Sequence, residues 1–199
     1  MSDSGCASWR NAAHGISSFW GIAVSQSTPP ATINLGFLTV LQEATGWLGG
    51  YLVTNGWGRP LEFRLTTAVQ PNKIQSALYG PTLLEYLLAD LIGKTLVEKT
   101  STKPELIVTD IPVVLRLRSR IDIPVTAIRA QNSIPESLPL DHPRISTGLL
   151  LPARFSTDQQ TVIALLDRVD SAVDLSEPFA RIREAIAEAR KMGASNRAA

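Results

Sequence analysis

The stretch Gly36–Val69, GFLTVLQEATGWLGGYLVTNGWGRPLEFRLTTAV, decides the fold, because it holds three extended segments in succession with turn chemistry between them. Starting at Ile33, the residues Leu35, Phe37, Thr39 and Leu41 alternate with Gly36, Leu38 and Val40. Both faces of this segment are therefore largely apolar, the pattern of a central strand. WLGGYLVTN follows, and Asn55-Gly56-Trp57-Gly58-Arg59 separates it from PLEFRLTTA. The Asn-Gly pair and the second glycine tolerate the positive φ angles of a short hairpin loop. In the third segment Leu61, Phe63 and Leu65 alternate with Glu62, Arg64 and Thr66, which predicts a strand with one wet face. Gly46, Gly49, Gly50, Gly56 and Gly58 follow no phosphate-loop spacing ending in Lys-Ser/Thr, so they read as turn and bulge glycines.

Beyond Gln70-Pro71-Asn72 the apolar spacing lengthens to three and four, through Ile74, Leu78, Leu84, Leu87, Leu88, Leu91, Ile92 and Leu96. Gly80-Pro81 interrupts it, predicting a short helix to Tyr79 and a second from Thr82 to Lys99. Glu105–Asp110 reads as a short buried strand, Val113–Arg120 as a helix and Ile123–Ile128 as another strand. Pro112 suits the first helical turn, with Asp110 or Ile111 as the cap. Gln131–Arg154 carries four prolines and reads as a connector without regular structure. Thr157 and Ser176 open two closing helices, the second with the stripe Phe179, Ile182, Ile186 and Ala189. Two units result: an irregular N-terminal arm over 1–32, ending in QSTPPAT, and a single α/β domain over 33–199 whose closing helices fall within 157–192.

A three-strand antiparallel meander followed by α-β-α-β resembles the ribonuclease H-like arrangement over roughly Ile33 to Ile128. A Rossmann sheet would alternate strand and helix from its start, and a roadblock or longin fold would continue in antiparallel strands. The resemblance rests on element order, not on shared functional residues.

A chain of 199 residues, 44% hydrophobic and 19% charged, builds its own core without a disulfide or a structural metal, and the lone Cys6 agrees. Nineteen basic against eighteen acidic residues leave a charge of +1, so no global field draws the chain to nucleic acid or an anionic membrane. No apolar run reaches the ~20 residues that span a bilayer. MSDSGCASWRNAAHG lacks the basic start and continuous apolar stretch of an export signal. A cytoplasmic location without membrane contact is expected.

A ribonuclease H-like nuclease gathers carboxylates at one edge of its sheet, because two divalent ions need several oxygen ligands. The first strand carries no acid before Glu43 at its far end. Asp110 closes ELIVTD, and Glu85 and Asp90 lie on the long helix. These four form the candidate group for Mg2+ or Mn2+, with a helix cap as the structural role for Asp110. His14 and His142 have no metal-ligand spacing with Cys6, and Asp141, His142 and Ser146 lack a nucleophile elbow. Arg116, Arg118 and Arg120 in RLRSR, with Arg129 nearby, are the local basic cluster, and helical spacing aligns Arg116 with Arg120 while turning Arg118 away. Trp57 between two glycines at the hairpin tip, and Trp9, Phe19 and Trp20 in the arm, are candidate partner contacts.

The expectation is a non-enzymatic interaction or scaffold subunit of a larger complex, a catalytically inactive ribonuclease H-like module. It would bind a protein partner or a second copy through these aromatics and the closing helices, with no cofactor. The alternative is a metal-dependent nuclease or a nucleic-acid-binding protein. That reading uses Glu43, Glu85, Asp90 and Asp110 with Mg2+ or Mn2+, and places Arg116, Arg120 and Arg129 on the nucleic acid.

Overall fold

In a computed structural model the described residues are 33–129, 135–143, 145 and 148–197, the last five by backbone alone; the arm with Trp9, Phe19 and Trp20 lies outside them. The meander forms as β1 (Asn34–Glu43), β2 (Gly46–Asn55) and β3 (Pro60–Leu65), each antiparallel to the next. The chain then crosses one face of the sheet through α1 (Lys73–Tyr79), α2 (Leu83–Glu85), a π-helical stretch (Tyr86–Gly93) and α3 (Lys94–Lys99). It returns as β4 (Leu106–Thr109), parallel to β1, and a 3-10 helix (Pro112–Ser119) leads to β5 (Val125–Ile128), parallel to β4. The order β3-β2-β1-β4-β5 is the ribonuclease H-like arrangement.

The supposed connector is a correction. It contains β6 (Ser137–Leu140) and β7 (Leu149–Pro152), which pair with each other and through β7 with β5, extending the sheet to seven strands. Pro139 is tolerated because β6 is the outer strand, where a missing N–H breaks no ladder on its open side. α4 (Asp158–Asp167) and α5 (Glu177–Arg197) close the chain. No helix among the described residues is long and apolar enough to cross a membrane.

Helices cover both faces. On one, α4 and α5 bury Val162, Leu166, Phe179, Ile182 and Ile186 against Leu35, Phe37, Leu106 and Val108. Phe37 and Phe179 meet edge to face at 5.8 Å. On the other, Leu88, Ile92, Leu96, Val114 and Leu117 pack on Leu38, Val40, Tyr51 and Val53. Gly49 and Gly50 serve this double layer, and not a turn or bulge. A Cβ on Gly49 would lie 2.2 Å from Ile92 Cγ2, and one on Gly50 2.4 Å from Ile182 Cγ2. The register shift in this pair of strands falls at Val53/Thr54 instead. Turns are left to Gly46 (φ 120°) and Gly58 (φ 73°).

The helical segments follow their punctuation. Asn72 and Gln75 form a reciprocal capping box at the start of α1, and Gly80 (φ 49°) ends it. Pro112 sits in the first turn of its helix with Ile111 as N-cap.

Candidate nucleic-acid interface

The four candidate carboxylates do not converge. Strand alternation places Glu43 and Asp110 on the α5 face, where Arg190 pairs with Glu43 and Arg183 with Asp110. The β1–β4 register sets Leu38 opposite Thr109, and so Thr39 beside Asp110. Glu43 lies four residues farther along β1, about 13 Å away at strand rise. Glu85 and Asp90 stand on the opposite face, paired with Arg116 (3.6 Å) and Arg120. Asp110 does not cap the following helix: Ile111 is the N-cap, and its N–H donates to Thr109 Oγ1 at 3.1 Å.

The donor set therefore does not fit Mg2+ or Mn2+. Two ions about 4 Å apart around one phosphate need shared oxygen ligands. Among the described residues no three His, Cys, Asp or Glu side chains come together to hold an ion. Glu43, Glu85, Asp90 and Asp110 stand instead in four separate ion pairs, each with its own arginine.

The arginines give a different result. A pocket of about 460 Å³ opens between the Pro112–Ser119 helix, α2 and the β6–β7 edge, and Arg116 and Arg120 both line it. Arg154 joins them from the segment after β7, with Ser119 and Ser137 adding hydroxyls and Phe155 an apolar wall. Sequence reading missed Arg154. It lies 34 residues beyond Arg120 (154 − 120), in a stretch read as connector, and only the β5–β7 pairing brings it near.

Arg118 is turned away from the pocket and supports its wall. Its Nε donates to Asp158 Oδ2 at 2.6 Å and its Nη1 to the Ile121 carbonyl at 2.8 Å, while the guanidinium lies 4.4 Å over the Phe155 ring. Arg116 also pairs with Glu136 at 2.8 Å. Asp90 raises the pKa of Arg120, first through their hydrogen bond and then through its charge. Arg154 has no ion pair among the described residues. Arg129 pairs with Asp141 at 3.3 Å and does not line the pocket.

The remaining candidates stand apart. Trp57 is half exposed on a loop fastened from inside: Asn55 Oδ1 accepts from the N–H groups of Trp57 and Arg59, each at 3.0 Å. Arg181 of α5 donates to the Gly58 carbonyl at 2.9 Å, and Asp170 N–H to that of Gly56 at 2.9 Å. His142 is buried and faces Asp167 at 3.3 Å, whereas Asp141 faces Arg129. The Asp141–His142 dyad is thus not assembled, and Ser146 lies outside the described residues.

No protein-family model and no curated protein matches the chain. Among solved structures it is similar to human ENDOV, at 14% identity and a TM-score of 0.43 over 80% of this chain and 86% of that one. It is similar to endonuclease V of Bacillus subtilis, at 10% identity and 0.43 over 83% of each. A third is endonuclease V of Ciona intestinalis in complex with a 24mer DNA containing an inosine followed by a ribo-adenosine, at 9% identity and 0.44 over 79% and 87%. The expectation of a non-enzymatic interaction or scaffold subunit is corrected on the packing: the closing helices meant as contact surfaces bury their apolar stripes in the protein's own core.

Proposed function

We propose that this chain is a nucleic-acid-binding protein of the ribonuclease H-like fold, with the pocket framed by Arg116, Arg120 and Arg154 taking the phosphodiester backbone. One observation carries the reading: three guanidinium groups from two separated segments line one open pocket in a chain whose charge is only +1. Guanidinium pairs with phosphate through parallel hydrogen bonds. The present partners, Glu85, Glu136 and Asp90, belong to exposed ion pairs worth roughly 0–1 kcal/mol each, so exchanging a carboxylate for a phosphate costs little. Phe155 and the pocket prolines offer an apolar wall for a base or sugar.

Fluorescence anisotropy with labelled single-stranded DNA, duplex DNA and RNA at about 50 mM salt tests this. Saturable binding that weakens with salt, and falls about tenfold or more in Arg116→Ala/Arg120→Ala/Arg154→Ala, is expected. No detectable binding to any of the three, or equal binding by the triple variant, sinks the reading. The same samples with Mg2+ or Mn2+ are run on a gel, and metal-dependent cleavage abolished by EDTA replaces binding with catalysis.

A further inference from the structure

We infer that Arg183 and Arg190 of α5 stand where the ribonuclease H-like arrangement implies a divalent cation, so that the carboxyl end of β1 and β4 is an ion-paired seam holding α5 to the sheet. This goes beyond the backbone reading and does not depend on it, since the pocket lies elsewhere.

The seam is built from both sides. Asp110 and Glu43 are largely covered, with side chains 19% and 20% exposed, while Arg183 and Arg190 are 47% and 53% exposed. A carboxylate withdrawn that far from water requires a counter-charge. α5 supplies one to each. Seven residues separate Arg183 from Arg190, almost two full turns, so both project from one side of the helix about 10 Å apart. Between them Ile186 packs with Ile182 over Gly50. The two charge contacts thus bracket an apolar one, and a shift of α5 would break all three.

Charge and donor arithmetic both leave out a cation. Each carboxylate is matched by one guanidinium, so a dication at Asp110 would enter a neutral pair already occupied by the Arg183 head. The β1 position beside Asp110 is Thr39, fully buried, with an Oγ1 that lacks a hydrogen-bond partner, as does Asp110 Oδ1. A hydroxyl there provides no second charge to hold an ion.

The test uses the full chain without nucleic acid, so its failure is separate from failure of the backbone reading. Mn2+ titration followed by the free-ion electron paramagnetic resonance signal should show no retained ion, and Tm should be the same in EDTA and in Mn2+. Arg183→Met should lower Tm by roughly 4 °C or more. The charge-keeping Arg183→Lys should lose less than half as much, and it serves if Arg183→Met does not fold. Stoichiometric Mn2+ retention by the unaltered protein, or an unchanged Tm in Arg183→Met, overturns the inference.

Discussion

Glu62 on β3 shows what a single carboxylate does at the sheet edge. Its oxygens accept from the backbone N–H groups of Ser101 at 3.0 Å and Thr102 at 2.9 Å, and from Arg64 Nε at 2.8 Å, tying the strand to the turn before β4. The Thr102 amide is the largest cause holding its pKa down from 4.5 to about 2. A carboxyl depressed in the folded state contributes stability that is fully present above the unfolded value near 4.5. That contribution is lost as pH falls through about 2. Urea midpoints followed by circular dichroism should therefore fall between pH 4.5 and 2 more steeply in the unaltered protein than in Glu62→Gln; parallel slopes would refute the assignment. Tyr51 is the opposite case. Burial first, then the Glu62 charge, pushes its phenol well above the usual range, and its hydroxyl is buried over Gly36 without a hydrogen-bond partner. Tyr51→Phe removes an unsatisfied group and nothing else, so it should be neutral or stabilising by about 1 kcal/mol in urea denaturation. A loss larger than that would mean the hydroxyl has a bridging partner.

At the scale of elements, the sheet tolerates helices on both faces at one level because β2 is bare there. Gly50→Ala drives a methyl into Ile182, and Gly49→Ala drives one into Ile92, so each should cost about 1–3 kcal/mol in urea denaturation. An unchanged midpoint for both would mean the helices are free to shift. This pair also marks how far the sequence could be read. Alternation at Leu35–Leu41 identified β1 as central because burial on two faces leaves a local trace. Asn55-Gly56 located the hairpin because turn chemistry is also a local signal. The glycine pair reads as turn chemistry from sequence, since nothing local says that Ile92 and Ile182 arrive above and below it. β6 and β7 are four residues each and carry proline, too short for periodicity to show, and they exist as strands through pairing with β5. The carboxylates were all visible, but their partners were not: Arg183 is 73 residues from Asp110, and no spacing rule joins them. Arg118 and Arg116 separate on the same ground, one anchored to Asp158 and Phe155, the other lining the pocket in exposed ion pairs with Glu85 and Glu136. Arg118→Ala should thus destabilise by about 1–3 kcal/mol and Arg116→Ala by less than about 1, a difference read from paired urea melts.

For the whole molecule, charge decides what kind of nucleic-acid binding is physically open. With 19 basic and 18 acidic residues there is no long-range field to gather a polyanion, so attraction has to come from contacts at one place. Counterion release makes that distinction measurable. Each phosphate neutralised on a single strand contributes about −0.7 to the slope of log K against log salt, so three pocket arginines give a slope near −2. Removing Arg116, Arg120 and Arg154 one at a time should flatten it by about 0.7 per step. Arg129→Ala is the internal control, because its guanidinium is held by Asp141 outside the pocket and its loss should leave the slope unchanged. A slope much steeper than −2, or one that Arg129→Ala reduces as much as Arg154→Ala does, would show a diffuse basic surface in place of a single pocket, and the assignment of the backbone to these three residues would fall with it.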